Sequence, residues 1–429
     1  MRQTLFYIPH DPFGVKLFGM DGALLYIWVL CGIVGLIVAA RKSDWKTALA
    51  SQLPIFLIVC AAIVFVLPKV EVSVPTDVPG KEKILGLPIR GYGVMVLAGV
   101  VSGVAIAVYR GSRVGVHSES ILGLAFAMFV TGIVGARVFY VIQYWDQIRG
   151  PDVATTFGNI FNFVEGGLVV YGSLIGAIGG FSYFCIRNKL PLLAMADLIA
   201  PSLAIGLALG RIGCLMNGCC YGGLCDQSWA ISFPEDSPPY FHQKSLGLFY
   251  GIKLAEGEQG IYVAEIVSDE TLGDSELAVG EVVRTINDET VFSMDEVSRA
   301  FAKEESLVTL GLESGRMVSW SIAEKPQQSL PIHPTQIYSS FNALLIFLVA
   351  LCVYPFRSRD GQVIALTLSL YAVTRFLLEI IRTDESSFYS TGYTISQNIS
   401  FFMGALLVML WVYIITSRKK LTVAISASH

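Results

Sequence analysis

Hydrophobic positions in this chain fall in long unbroken blocks, not in amphipathic stripes of helical period. A helix of about 20 apolar residues crosses roughly 30 Å of hydrocarbon. Blocks of that length stand at 22–40, 49–68, 91–109, 121–143, 168–186, 197–214, 340–356, 362–381 and 395–416. They predict an all-α polytopic membrane protein of about nine transmembrane helices. Between Pro239 and Pro331 the pattern breaks into acidic and polar sequence with no block long enough to cross. There GIYVAEIV (260–267) and SLVTLGL (306–312) are short β-branched runs, and MVSWSIAE (317–324) alternates apolar and polar residues as a half-exposed strand does. Ser293 and Glu296 have the spacing of a helix capping box, leading into EVSRAFAKE. This region predicts a small α+β domain inserted into the helical protein.

Composition agrees with a bilayer. The chain is 54% hydrophobic and only 15% charged, against about a quarter charged in soluble domains. The net charge of −4 identifies no partner, and no nucleic acid partner is expected. The placement of the basic residues is more informative, because cytoplasmic loops carry the excess of Lys and Arg. Alternate connections hold Arg41, Lys42 and Lys46, then Arg110 and Arg113, Arg187 and Lys189, Arg357 and Arg359, and finally Arg418, Lys419 and Lys420. The opposite set is poorer, with Arg149 alone in 144–167 and Arg382 alone in 382–394, although 69–90 mixes basic with acidic residues. This reading places the N-terminus and the insert outside and the C-terminus in the cytoplasm, which an odd number of spans requires. Met1–Met20 carries Pro, His and Asp where a cleavable leader has its apolar stretch, so the first span is expected to stay as an anchor.

Charges inside spans carry the candidate chemistry. At the bilayer centre each costs roughly 2.5–3.5 kcal/mol on the lenient scale, so a retained one marks a pair or a substrate path. Tyr371, Arg375 and Glu379 are four apart and share one helix face. A structural ion pair would account for two of them. Arg211, near the outer end of another span, is surplus to that pair and calls for an anion. Arg137 in GARVFYV is either a further member or an interfacial residue that snorkels. Arginine grips phosphate through two parallel hydrogen bonds, so several arginines on one membrane cavity point to a phospholipid headgroup. Glycines crowd GGLVVYGSLIGAIGG (166–180) and GRIGCLMNGCCYGG (210–223), permitting close helix packing or close approach of backbone to a ligand.

Four segments, EGGLVVYGSLIG, GRIGCLMNG, HPTQIY (333–338) and YAVTRFLLEIIR (371–382), together resemble the prolipoprotein diacylglyceryl transferases in this order, over roughly 85–240 and 330–416. The resemblance implies a seven-helix core in a bacterial inner membrane, with residues 1–84 as two added helices, 85–240 and 329–429 as the two parts of the core, and 241–328 as the insert. It implies transfer of a diacylglyceryl group from phosphatidylglycerol to the lipobox cysteine of a prolipoprotein signal peptide, releasing glycerol phosphate. No cofactor and no metal is expected. By motif, Arg211, Asn217 and Gly222 fall in the signature segment, Tyr171 and Gly172 in the preceding one, and Tyr371, Arg375 and Glu379 match its Tyr-x-x-x-Arg-x-x-x-Glu pattern. The chain departs from the pattern at Cys214 for Asn, Cys219 for Glu, Tyr171 for His and Ser339 for Glu. His333 becomes the candidate base for a thiol of pKa near 8.5.

The insert segment VGEVVRTINDETVFSMDEVSRAF resembles PDZ domains, across most of 245–325, and implies an extended peptide or protein ligand. The alternative is a spacer without a ligand. Cys31, Cys60, Cys185 and Cys352 sit singly in spans as small apolar residues. Cys214, Cys219, Cys220 and Cys225 cluster. Outside the cytoplasm such a cluster reads as one or two disulfides, and its C-x4-C-C-x4-C spacing does not match the usual C-x2-C zinc knuckle. A scaffold that kept the fold and lost the chemistry is the competing function. A zinc protease lacks its H-E-x-x-H segment, and a transporter would show paired broken helices.

Overall fold

The computed structural model describes residues 3–42, 53, 56–57, 59–75, 82–162, 166–235, 237–257, 259–273, 276–302, 307–321, 326–382, 394–417 and 421–422. Among these residues six helices are long and apolar enough to cross a membrane: Gly91–Arg113, Ser118–Gln143, Leu192–Asn217, Thr335–Phe356, Gln362–Glu379 and Ser396–Thr416. Each overlaps an apolar block predicted from sequence. Helices also stand at the predicted blocks 22–40 and 168–186, as Ala23–Lys42 (α1) and Val170–Arg187. Of the block 49–68, residues 53, 56–57 and 59–68 are described, and Val59–Val70 is a shorter apolar helix there. The chain divides into two units, described separately.

The unit formed by Arg2–Gly206, Phe347–Leu366 and Tyr413–His429 contains α1, Gly91–Arg113 (α2), Ser118–Gln143 (α3), Val153–Phe161 (α4) and Val170–Arg187 (α5). Strands β1 (Thr4–Ile8), β2 (Val72–Pro75) and β3 (Glu82–Arg90) form an antiparallel sheet in the order β1-β3-β2. This sheet takes in most of 69–90, a connection between spans in the hydrophobic pattern. Large side chains on the helices face outward, with Phe126 at 70% exposure and Val170 at 78%, an apolar surface that only lipid would cover. Inside, α3 and α5 meet along glycines. A Cβ on Gly135 would overlap the Gly172 carbonyl, and one on Gly176 would overlap that of Thr131. Backbones this close exclude any side chain. Gly176→Leu is therefore expected to cost at least about 1–3 kcal/mol through overpacking. Gly179→Leu, whose Cβ meets nothing within 4 Å, is its control, and thermal denaturation in detergent separates the two.

The same unit holds a buried polar cluster. Asp197, on Leu192–Asn217 (α6), is wholly buried and accepts the N–H groups of Gly361 and Ile364 at 2.7 and 2.9 Å. It thereby caps Gln362–Glu379 (α10). Arg357 lies 3.8 Å from this carboxylate. Arg110 and Arg357, counted as loop charges from sequence, both stack on the Tyr354 ring, at 4.0 and 3.7 Å.

The other unit takes in Leu207–Ile346 and Thr367–Val412. Between α6 and Thr335–Val353 (α9) lie Pro238–Ser245 (α7) and a group of short strands with further short helices. The strands expected there are β5 (Gly260–Ile266), β8 (Leu307–Leu312) and β9 (Met317–Ser321). β5 pairs with β4 (Ile252–Gly257) in a hairpin, and a second sheet runs β7-β6-β8-β9 with β6 at Val283–Ile286 and β7 at Glu289–Thr290. The predicted helix is Met294–Ala302 (α8). The glutamate half of its capping box is formed, Phe292 N–H and Ser293 N–H both donating to Glu296 Oε2 at 2.7 and 3.2 Å. Phe301 from α8 stacks on Tyr250 at 4.6 Å, beneath the strand residues Ile252, Val263 and Leu310, all buried. The segments on either side of these strands pair with each other. Phe233 and Ser329 bond each other, Gln243 bonds both backbone groups of Leu330, and Pro234 bridges to Gln328.

Candidate active site

The signature segment is held from two sides. α6 ends at Asn217, and Gly218 and Cys220 take left-handed conformations, φ +76° and +61°, that turn the chain back. The returning strand then pairs with the HPTQIY segment: Gly222 N–H donates to His333 O at 3.0 Å, and His333 N–H to Gly223 O at 2.9 Å. On its other side Gly223 N–H donates to Ile381 O at 3.1 Å, and Gly222 bridges to Arg382 just beyond α10. A side chain at Gly222 would run into His333 and Thr335, so glycine there reflects close backbone approach. From α9, Thr335 Oγ1 donates to Cys220 O at 2.7 Å and Gln336 Nε2 to Cys219 O at 2.8 Å.

This arrangement gathers the predicted charges. On α10, Arg375 Nη1 lies 2.7 Å from Glu379 Oε2, and Arg382 Nη1 lies 3.3 Å from the same oxygen. Glu379 is 2% exposed. Arg375 also donates to Ser396 Oγ at 2.8 Å, from Ile395–Thr416 (α11). Arg211, one turn before Cys214 on α6, lies within electrostatic range of Tyr371, Cys220 and Arg382. Among the described residues no carboxylate forms an ion pair with Arg211. Two guanidinium groups thus share the Glu379 carboxylate, and Arg211 stands beside them with no ion-paired carboxylate among the described residues. Arg382 was assigned to a loop from sequence. The signal for it was present, since it stands three residues after Glu379, a spacing that puts both on one side of a helix.

Cys214, Cys219 and Cys220 lie together as free thiols, whereas Cys225, fourth in the sequence cluster, is buried apart from them. The Cys220 thiol, in the turn beyond the helix, is held well below its ordinary pKa by hydrogen bonds from Cys214 and Cys219, with the charges of Arg382 and Arg211 adding to the effect. Asn217 reaches the Cys219 sulfur. His333 is partly buried, its Nδ1 3.4 Å from Tyr338 Oη, which accepts the Trp229 indole N–H at 2.8 Å. A second histidine, missed in the sequence, is His242 on α7, 2.8 Å from Tyr221 Oη. It lines a cleft of about 350 Å³ between the returning strand and the edge of β4.

The remaining predicted residues belong to the other unit. Arg137 donates to the carbonyls of Asn159, Ile160, Gly166 and Gly167 at 2.6–3.0 Å. Four of its five N–H groups are spent on backbone, so it fastens the connection leading into α5 instead of presenting a fork. Gly172 serves the contact with α3. Tyr171, at the start of α5, is 36% exposed.

Comparison with known proteins supplies the relatives. Residues 82–413 match the family model for prolipoprotein diacylglyceryl transferase. The chain is 32% identical to the phosphatidylglycerol--prolipoprotein diacylglyceryl transferase of Rhodopirellula baltica, over 93% of this chain and 86% of that one. It is 25% identical to the enzyme of the same name from Finegoldia magna, over 74% of this chain and 88% of the other. A second such transferase of Clostridium perfringens matches at 34% over a shorter stretch, 36% of this chain and 59% of that protein. The match runs through the signature turn, the HPTQIY segment and the charged face of α10, and this chain belongs to the prolipoprotein diacylglyceryl transferase family.

Proposed function

We propose that Arg211, Arg375 and Arg382 form the anion clamp through which this transferase moves a diacylglyceryl group from phosphatidylglycerol to the lipobox cysteine thiol of a prolipoprotein. The observation that supports the clamp is that Arg211, near Arg382 and Tyr371, has no ion-paired carboxylate among the described residues, beside the Arg375–Glu379–Arg382 group. In the reaction the substrate thiol attacks the glyceryl carbon, the C–O bond to phosphate breaks, and glycerol phosphate departs with more negative charge than it held in the lipid. Fixed guanidinium groups stabilise that growing charge in a site shielded from water. Glu379 orients Arg375 and Arg382. Tyr371, one turn before Arg375, and Asn217 contribute to headgroup binding, and His333 is the candidate proton acceptor among the imidazoles.

The core occupies residues 85–240 and 329–429 of an inner-membrane protein of nine spans, N-terminus outside and C-terminus in the cytoplasm, with 1–84 as two added helices. Residues 241–328 are an external PDZ-like domain. Its β4 is an edge strand, and the cleft beside it is bounded on the far side by Tyr221–Leu224 of the signature turn. An extended peptide added to that edge would pass beside the site, which fits the polypeptide of the prolipoprotein substrate. Complementation tests the function: the chain is expected to restore lipoprotein modification in cells depleted of their own transferase, and membranes bearing it to modify a lipobox peptide only when phosphatidylglycerol is present. An unmodified peptide under both conditions would overturn the reading.

A further inference from the structure

The three sulfurs of Cys214, Cys219 and Cys220 all lie within 4.8 Å of one another, and among the described residues no histidine, carboxylate or fourth cysteine joins them. The spacing in sequence argued against zinc. The turn at Gly218 and Cys220 changes that, because it folds residues four and five positions apart onto one point. Zinc–sulfur bonds of about 2.3 Å place tetrahedral sulfurs about 3.8 Å apart, within reach of side-chain rotation alone. The backbone is already fixed: Gly218 N–H and Cys219 N–H donate to Cys214 O at 2.9 and 3.1 Å, and α9 holds the carbonyls of Cys219 and Cys220. Three protein ligands with one open position is the coordination of a catalytic zinc, whereas structural sites are closed by four.

We propose that Cys214, Cys219 and Cys220 bind one zinc-class ion whose fourth position takes the substrate cysteine. This rests on the transferase reading above and deepens it. A coordinated thiol is deprotonated outright, so the lipobox sulfur would arrive as the thiolate that the transfer requires. The S–H proton passes to the proton acceptor of the proposed reaction, His333, a C–S bond forms to the glyceryl carbon, the C–O bond breaks, and glycerol phosphate leaves with the negative charge of the broken bond. No oxidant or reductant enters. Arg211, one turn from Cys214 on the same helix, then lies where the phosphate separates. Adjacent thiols and arginines thereby divide the work, sulfur activation on one side and charge stabilisation on the other.

The test uses the full chain, purified in detergent from cells grown with zinc and kept reduced. One equivalent of zinc per chain is expected by mass spectrometric metal analysis. The cobalt(II) form should show sulfur-to-metal charge transfer, and its d–d bands should shift when a lipobox peptide is added but not when the peptide carries serine for cysteine. C214S, C219S and C220S should each weaken binding at least about tenfold, while C225S should not. A substoichiometric metal content, or a Cys214–Cys219 or Cys214–Cys220 disulfide in the purified chain, would overturn the metal site. So would transfer activity that survives complete removal of the ion. A loaded chain that shifts with the peptide yet transfers nothing from phosphatidylglycerol would leave the site standing and sink the transferase reading instead.

Discussion

Arg211→Ala is expected to lower the rate of diacylglyceryl transfer by about two to three orders of magnitude, the usual cost of removing one donor from a developing anion. The lipid phosphate carries one negative charge before reaction and more as it departs. A guanidinium aimed at it therefore gains strength in the transition state, and such interactions raise kcat more than they lower KM. Arg211→Lys should recover part of the loss, since it keeps the charge but not the two-pronged fork. Neither variant should unfold the protein, because Arg211 forms no ion pair with a carboxylate among the described residues. Steady-state kinetics on a lipobox peptide with phosphatidylglycerol in mixed micelles measures both. Wild-type kcat in Arg211→Ala would remove this arginine from the clamp.

Glu379→Ala is expected to act on stability first. The carboxylate side chain is fully shielded, and Arg375 and Arg382, themselves 14% and 8% exposed, converge on one of its oxygens. Removing one member of a buried pair leaves uncompensated charge and costs about 3–5 kcal/mol. Glu379→Ala should thus reduce the folded protein recovered from membranes and lower its denaturation temperature. Adding Arg375→Met should return part of the lost stability, because it withdraws one of the stranded charges, while activity stays low. This non-additivity between contacting residues is what a double-mutant cycle reads. Stabilities that simply sum would mean the pair is not coupled.

The helical blocks were legible because a bilayer imposes a minimum apolar length. The proposed clamp was legible in part. Arg375 and Glu379 announce themselves by their spacing, but Arg382 sits one residue past the apolar block and looks like a loop charge until Gly222 is seen bridged to it. Arg137 was ambiguous for a different reason. Its partners are four backbone carbonyls between Asn159 and Gly167, and a carbonyl has no residue type to recognise. The cysteine group could not be placed from its spacing, since the left-handed Gly218 and Cys220 lie in the turn that brings the sulfurs of Cys214, Cys219 and Cys220 together. Asp197 escaped notice as an intramembrane charge because its partners are the amides of a helix start more than 160 positions later.

The pairing of the segments before and after the strand-rich stretch has a consequence for how such a chain changes over time. Phe233 with Ser329, and Gln243 with Leu330, tie the way in to the way out. Once those strands are zipped, the core feels only a short closed hairpin, whatever length of chain lies beyond it. The entropy of closing a loop grows slowly with its length, and it is met here by bonds local to the paired segments. A gene could therefore gain, lose or exchange the material past Leu246 as a cassette, while the helix end carrying Arg211 and the turn after it keep their address.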